Sequence, residues 1–165
     1  MKNNKTELTS NMEDYLEAIY VLSERDGKAR VKGISDKLGV KKPSVNNAVN
    51  VLLRKGLVRH EKYGNIMLTA PGVKLSQNIK RRHDMLVRFL SEILGVERDT
   101  AVQDACRVEH VISAVTSERL SKFMEFADTF SSGKKPVWLE SFRVFLEHGK
   151  RPYKPAAGKM KEKEK

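Results

Sequence analysis

The chain has 165 residues, 39% apolar and 32% charged, which suits one globular domain or two small ones sharing a core. No apolar run is long enough to span a membrane, and the opening MKNNKTELTSNMEDY lacks a signal-peptide core; a single cysteine forms no internal disulfide, so a reducing cytoplasm is the expected setting. The net charge of +11 favours a polyanionic partner, because neutralising phosphates releases counterions, although many basic proteins bind no nucleic acid.

In chain order, SNMEDYLEAIYVLSE (10–24) opens with Ser10 and Glu13 at capping-box spacing. Leu16, Ile19, Tyr20 and Ser23 then share one face, which predicts a helix packed on a core. VKGISDKLGV predicts a short helix ending at Gly39, and KKPSVNNAVNVLLRKG a second, with Pro43 in its first turn and Gly56 as its stop. Val45, Val49, Leu52 and Leu53 form the buried stripe of that second helix; Ser44, Asn46, Asn47 and Asn50 form its exposed face. Amides and hydroxyls in such a row suit base edges in a major groove better than mere solubility. GLVRHEKYGNIMLTAPG reads as two strands around YGN, ended by Pro71 and Gly72. A hairpin directly after a helix-turn-helix is a wing, with Arg59, His60 and Lys62 placed for phosphates. The blander alternative is a winged helix used for protein contacts.

From Gly72 to Gly95, Leu75, Ile79, Leu86, Phe89, Leu90 and Ile93 mark one long amphipathic helix, with His83 inside its apolar stripe. A further helix is expected near Thr100, with Gln103 completing a second capping box and a stripe through Val102, Ala105, Val108 and Ile112. On a helical wheel Cys106, Glu109 and His110 span an arc of about 100° beside that stripe, partly buried, where thiolate, carboxylate and imidazole hold a divalent ion well. Asp14 and Glu17 make another pair one turn apart. Singly, each has an ordinary explanation: a satisfied core histidine, an acid favoured by the helix dipole, a solvated glutamate. As a set they are candidate ligands.

The segments EDYLEAIYVL, LGVKKPSVNNAVNVLLRKGLV, YGNIMLTAPG, KRRHDMLVRFL and DACRVEHVIS, in order from about Met12 to Leu120, resemble the diphtheria toxin repressor family of metal-dependent transcriptional regulators. The resemblance implies a mainly α fold with a small β-hairpin wing: a winged helix-turn-helix over 1–72 and a helical metal-binding and dimerisation domain over 73–130. It also implies a homodimer on a palindromic double-stranded DNA operator, repressing iron or manganese uptake genes when a divalent metal is bound. Carried over by position, Asp14 and Glu17 match ligands of the manganese sensors, His83 a ligand of both branches, and Glu109 and His110 the shared acid–imidazole pair. Cys106 matches the iron sensors, so the site mixes the two types. Fe²⁺ or Mn²⁺ is the implied ion, with Zn²⁺, Co²⁺ or Ni²⁺ binding in vitro. Val87 and Val102 stand where the iron branch has the glutamate and histidine of a second site.

On the DNA-facing side the set is Lys41, Lys42, Pro43, Ser44, Asn46, Asn47, Asn50, Arg59 and Lys62. Pro43 and Ser44 match positions that touch thymine methyls or backbone, and Asn47 stands where iron repressors carry a glutamine. Beyond residue 120 the match fades. KKPVWLESFRVFLEHGK predicts one more helix (131–150) with Trp138, Phe142 and Phe145 inward, His148 at the surface, and 151–165 a disordered basic tail; the short chain is expected to lack the small barrel domain of longer relatives. Two alternatives remain at this stage: a metalloenzyme with a Cys/His/Glu-bound ion, and a metal-independent winged-helix regulator.

Overall fold

The computed structural model describes residues 8–61, 64–130 and 136–150. Helices α1 (Ser10–Asp26), α2 (Val31–Leu38) and α3 (Lys42–Arg54) precede strands β1 (Val58–His60) and β2 (Ile66–Leu68). Helix α4 (Ala70–Arg88) runs into a π-helical turn (Phe89–Ile93), and α5 (Arg98–Val108), α6 (Ala114–Thr129) and α7 (Val137–His148) follow. The fold is mainly helical with one antiparallel hairpin, as expected. The chain divides into two compact units, one of residues 1–84 with 106–111, the other of 85–105 with 112–165.

The first unit closes on one apolar cluster, in which Leu16, Ile19, Ile34, Val45, Leu52 and Ile66 are fully buried. Each of α1, α2, α3 and β2 therefore contributes the stripe that its periodicity set aside. Gly39 ends α2 in the left-handed region (φ 65°), its N–H bonded to Ser35 O. That turn gives the helix-turn-helix its sharp corner at the residue type that tolerates it. In the hairpin Val58 faces Leu68 and His60 faces Ile66, and the Ile66 N–H donates to Ala29 O at 2.8 Å, tying the wing to the segment between α1 and α2.

Several local expectations give way to tertiary constraints. No side-chain cap forms at Ser10: α1 is capped from Thr9, whose carbonyl accepts from Met12, and Glu13 turns elsewhere. Pro71 and Gly72 lie in the first turn of α4 and do not terminate the wing strand. The long helix to Gly95 loses its regular period at Phe89–Ile93, where the Leu94 N–H reaches Phe89 O and Arg143 Nη2 donates to Glu92 O at 2.9 Å. α5 is capped by Glu97, whose carboxylate accepts from the N–H groups of Asp99 and Thr100, so Thr100–Gln103 makes no capping box. Its buried side is Ala101 and Ala105, while Val102 and Val108 are exposed; two alanines permit a closeness that the valines would obstruct.

The second unit packs Leu86, Val87, Ile93, Ala105, Met124 and Leu139 together, with Phe89, Phe123 and Trp138 in successive edge-to-face contacts at 5.9 Å. The helix expected over 131–150 is observed as Val137–His148. Phe142 packs on this cluster, but Phe145 is 44% exposed and Trp138 38%. Residues 151–165, expected to be a tail, lie outside the described residues.

Gly72 leaves no room for a side chain: a Cβ there would lie 2.0 Å from the Leu57 carbonyl oxygen, which accepts from the Thr69 N–H. Alanine would gain about 1 kcal/mol of helix propensity, yet overpacking against backbone costs about 1–3 kcal/mol or more, so the clash should win. Gly72→Ala is expected to lower the urea midpoint at unchanged slope in equilibrium unfolding.

Candidate functional site

All six sequence-derived metal candidates belong to the first unit. Tyr15, Leu16, Ala18 and Ile19 bury one side of α1, which leaves Asp14 and Glu17 half-buried at its flank. α5 stops at Val108, and Glu109 and His110 occupy the turn beyond it, closed by Val111 N–H donating to Val108 O. The helical wheel thus holds for Cys106 but not for Glu109 and His110, which the turn groups with it. Cys106 is more exposed than expected.

One donor atom each from Asp14, Cys106, Glu109 and His110 lies within 4.8 Å of the others. His110 Nε2 is 2.8 Å from Asp14 Oδ1 and 3.4 Å from Glu109 Oε1. The Glu109 side chain is fully buried, and Oε1 has no hydrogen-bond partner among the described residues, while Oε2 lies 2.8 Å from His83 Nδ1. A buried acceptor left unmet costs about 1–3 kcal/mol, more when charged. The donor set therefore fits a cation: two carboxylates, a thiol and an imidazole, with an unsatisfied anionic oxygen among them. His83 and Glu17 stand outside this group of four. His83 reaches it through Glu109, and Glu17 feels the charges of Glu109 and His83. Val87 belongs to the core of the second unit and Val102 is exposed, so neither supplies a ligand.

Two residues that the sequence did not mark as site residues, Glu13 (read there as a capping-box acid) and Arg82, also line the site. Glu13 Oε2 lies 3.0 Å from His110 Nδ1 and accepts from Arg82 Nη2 at 2.7 Å. Their neighbours Asp14 and His83 drew the attention; nothing in the spacing separates the two acids, since only the packing decides which one turns to which side of the ring.

Burial pushes the Asp14 carboxyl up despite His110 pulling the other way, and burial together with the Glu109 charge raises that of Glu17. The Cys106 thiol is raised by burial and then by Glu109, and the His83 imidazole by its hydrogen bond to Glu109.

The second candidate surface is α3. Lys41, Lys42, Pro43, Ser44, Asn46, Asn47 and Asn50 are all exposed, opposite the buried Val45, Ala48, Val49 and Leu52. Arg59 and His60 are exposed on β1, and Arg59 pairs with Glu61 at 3.2 Å. Lys62 lies outside the described residues. Arg30, missed in the sequence, reaches from the start of α2 to Asn65 at 2.9 Å and adds a cation beside the wing.

A helix-turn-helix with a wing, joined to a partly buried cluster of metal-type donors, defines a metal-responsive DNA-binding regulator. Residues 7–66 match the family model of the iron-dependent repressor N-terminal DNA-binding domain, and residues 69–136 that of the iron-dependent repressor metal-binding and dimerisation domain. The chain belongs to this family, that of the diphtheria toxin repressor, whose members are metal-dependent DNA-binding transcriptional regulators and not enzymes. It is 34% identical over 140 residues to the HTH-type transcriptional regulator MntR of Bacillus subtilis (strain 168), covering 85% of this chain and 96% of that protein. Among solved structures it is similar to the manganese regulator SloR (39% identity, 72% of this chain, TM-score 0.64) and to ScaR with bound Zn²⁺ (30%, 70%, 0.61). The match spans 55% and 54% of those two chains, about half their length. Among the described residues no helix is long and apolar enough to cross a membrane.

Each upward shift has the same sign: the group holds its proton to higher pH in the folded, metal-free protein than in the unfolded chain. Its contribution to stability is therefore present at low pH and lost as pH rises through the folded value. A metal ion must displace these protons from whichever of the groups it binds. Metal affinity is expected to rise with pH from mildly acidic to neutral conditions, with net proton release on binding. Calorimetric titration of Mn²⁺ in two buffers of different ionisation enthalpy measures that release; no difference between the buffers would contradict it.

Proposed function

We propose that a divalent transition-metal ion, held by Asp14, Cys106, Glu109 and His110 with Glu17 and His83 completing or supporting the shell, activates this protein for operator binding. The observation carrying this reading is the buried Glu109 Oε1, which has no hydrogen-bond partner among the described residues and lies beside three further donors. Residues 1–72 form the DNA-binding domain in this reading, and 73–130 the helical region of metal binding and dimerisation. The helix over 131–150 and the tail over 151–165 are additions to it. The protein acts in the cytoplasm as a homodimer on palindromic duplex DNA. It represses iron or manganese uptake genes, with Fe²⁺ or Mn²⁺ as the physiological ion.

A bound ion supplies the positive charge that the clustered acids lack and joins α1 to the 106–111 turn. The remaining work is done by the chain's own groups. Asp14 sits on α1, whose opposite face (Leu16, Ile19) shares a core with Val45, Val49 and Leu52 of α3. Restraining Asp14 therefore restrains the recognition helix. His83 and Glu109 lie on or beside helices that continue into the second unit. Without charge neutralisation, Asp14, Glu17 and Glu109 repel and the restraint slackens. On DNA, Lys41, Lys42, Arg59 and Lys62 meet phosphates, while Pro43, Ser44, Asn46, Asn47 and Asn50 meet base edges and thymine methyls.

Ordering the reading head in advance couples metal to DNA, typically by about 1–3 kcal/mol or 5–150-fold. Duplexes selected from a random library by the Mn²⁺-loaded protein should bind it more tightly by such a factor than under chelation, in a mobility-shift titration. Glu109→Ala and His110→Ala should abolish the difference while leaving the helical circular-dichroism spectrum intact. Variants that bind as the parent does, with and without chelator, would overturn the reading in favour of a metal-independent regulator.

The thiol makes a second expectation. Soft sulfur favours Zn²⁺, Co²⁺ and Fe²⁺ over Mn²⁺. Cys106→Ser should lower Co²⁺ and Zn²⁺ affinity more than Mn²⁺ affinity and remove the thiolate-to-cobalt charge-transfer band. An unchanged cobalt spectrum would exclude Cys106 from the shell.

A further inference from the structure

We propose that Glu13, held in place by Arg82, is the positioning residue of the metal centre. It takes the Nδ1–H of His110, so that the Nε2 lone pair faces Asp14, Cys106 and Glu109. This rests on the reading above, in which those four residues hold the ion.

An imidazole ligates through one ring nitrogen while the other carries the proton, and the partner of that proton sets which is which. Both nitrogens of His110 face carboxylates: Nε2 points into the donor cluster, 2.8 Å from Asp14, and Nδ1 points out of it, 3.0 Å from Glu13. The His110 side chain is only 8% exposed, so water is poorly placed to substitute for either partner. Glu13 and Asp14 are consecutive on α1, and consecutive helical side chains diverge by about 100°, which lets the two acids bracket one ring from opposite edges. Asp14 belongs to the group within ligating reach; Glu13 does not.

Arg82 makes Glu13 suitable for this task. Its Nη2 donates at 2.7 Å to the same Oε2 that faces His110, which fixes the rotamer of Glu13 and offsets its charge. The Glu13–Arg82 pair is itself partly covered, at 19% and 26% exposure, and Arg82 Nε is buried with no hydrogen-bond partner among the described residues. A surface ion pair kept only for stability would not bury an unmet donor, nor place its carboxylate on a ligand's second nitrogen. The ordinary roles of a first-turn acid and an interhelical ion pair predict a change in folding stability alone. A positioning role predicts a change in metal affinity and in the ring proton.

The test uses the full chain with Co²⁺ and Zn²⁺ alone as probes. Glu13→Ala is expected to weaken Co²⁺ binding by about 10–100-fold, the range for loss of an outer-shell partner. Glu13→Gln, whose amide oxygen still accepts from Nδ1–H, should lose less, and Arg82→Ala should fall between Glu13→Gln and Glu13→Ala. In the Zn²⁺-loaded protein the His110 Nδ1–H proton should be protected from solvent exchange by NMR, and that protection should vanish in Glu13→Ala with zinc still bound. If Glu13→Ala binds Co²⁺ as the parent does and keeps the protected proton, the proposal is overturned. Should Glu13→Ala fail to fold, Glu13→Gln and Arg82→Ala decide it, and parent-like affinity in both rejects it. Failure of the parent chain to bind either ion would instead remove the metal reading itself.

Discussion

Glu109 is the constraint around which the first unit is organised. Its side chain is fully buried, with one oxygen 2.8 Å from His83 and the other without a hydrogen-bond partner among the described residues, and a buried acceptor left unmet costs about 1–3 kcal/mol. Asp14, Glu17 and Glu13 add three more acids nearby; Arg82 pairs with Glu13, Lys37 and Lys80 act on Glu17 from farther off, and the imidazoles of His83 and His110 lie among the acids. Burial raises the carboxyls of both Asp14 and Glu17, with the Glu109 charge adding to it. The grouping of donors fits a cation.

The apolar core of the same unit plays the opposite part. Leu16, Ile19, Ile34, Val45, Leu52 and Ile66 interlock without polar groups, so α1, α2, α3 and the wing form one block. Gly72, pressed against the Leu57 carbonyl, fastens the start of α4 to that block. Asp14 thus sits on a helix that shares its core with α3 and the exposed amides that α3 carries. In the proposed switch, what would change is how tightly α1 is held by residues 106–111, not the reading head itself.

The mixed donor set gives the centre its chemical character. As the proposed shell, three hard or borderline donors and one thiol would have a preference that follows ligand softness. In the second unit, the exposed Val115, Phe126, Val137 and Leu146 leave an apolar surface of the kind that a dimerisation domain covers.

Much of this was legible along the chain. The helix-turn-helix and wing follow from hydrophobic periodicity and from Gly39, because short-range sterics and one-sided burial act locally. The spacing of Cys106, Glu109 and His110, of Asp14 and Glu17, and the lone His83 marked the donors, since metal chemistry restricts residue type. Tertiary structure alone decided the rest. It drew Glu13 away from the α1 cap toward His110, turned Ala101 and Ala105 inward in place of Val102 and Val108, and left Phe145 exposed. It also set His83 on Glu109, outside the four-donor group. These outcomes depend on which of several chemically equivalent side chains meets a partner some 26 to 97 residues away. Local sequence cannot rank such choices, because the energies that separate them arise only when distant segments pack.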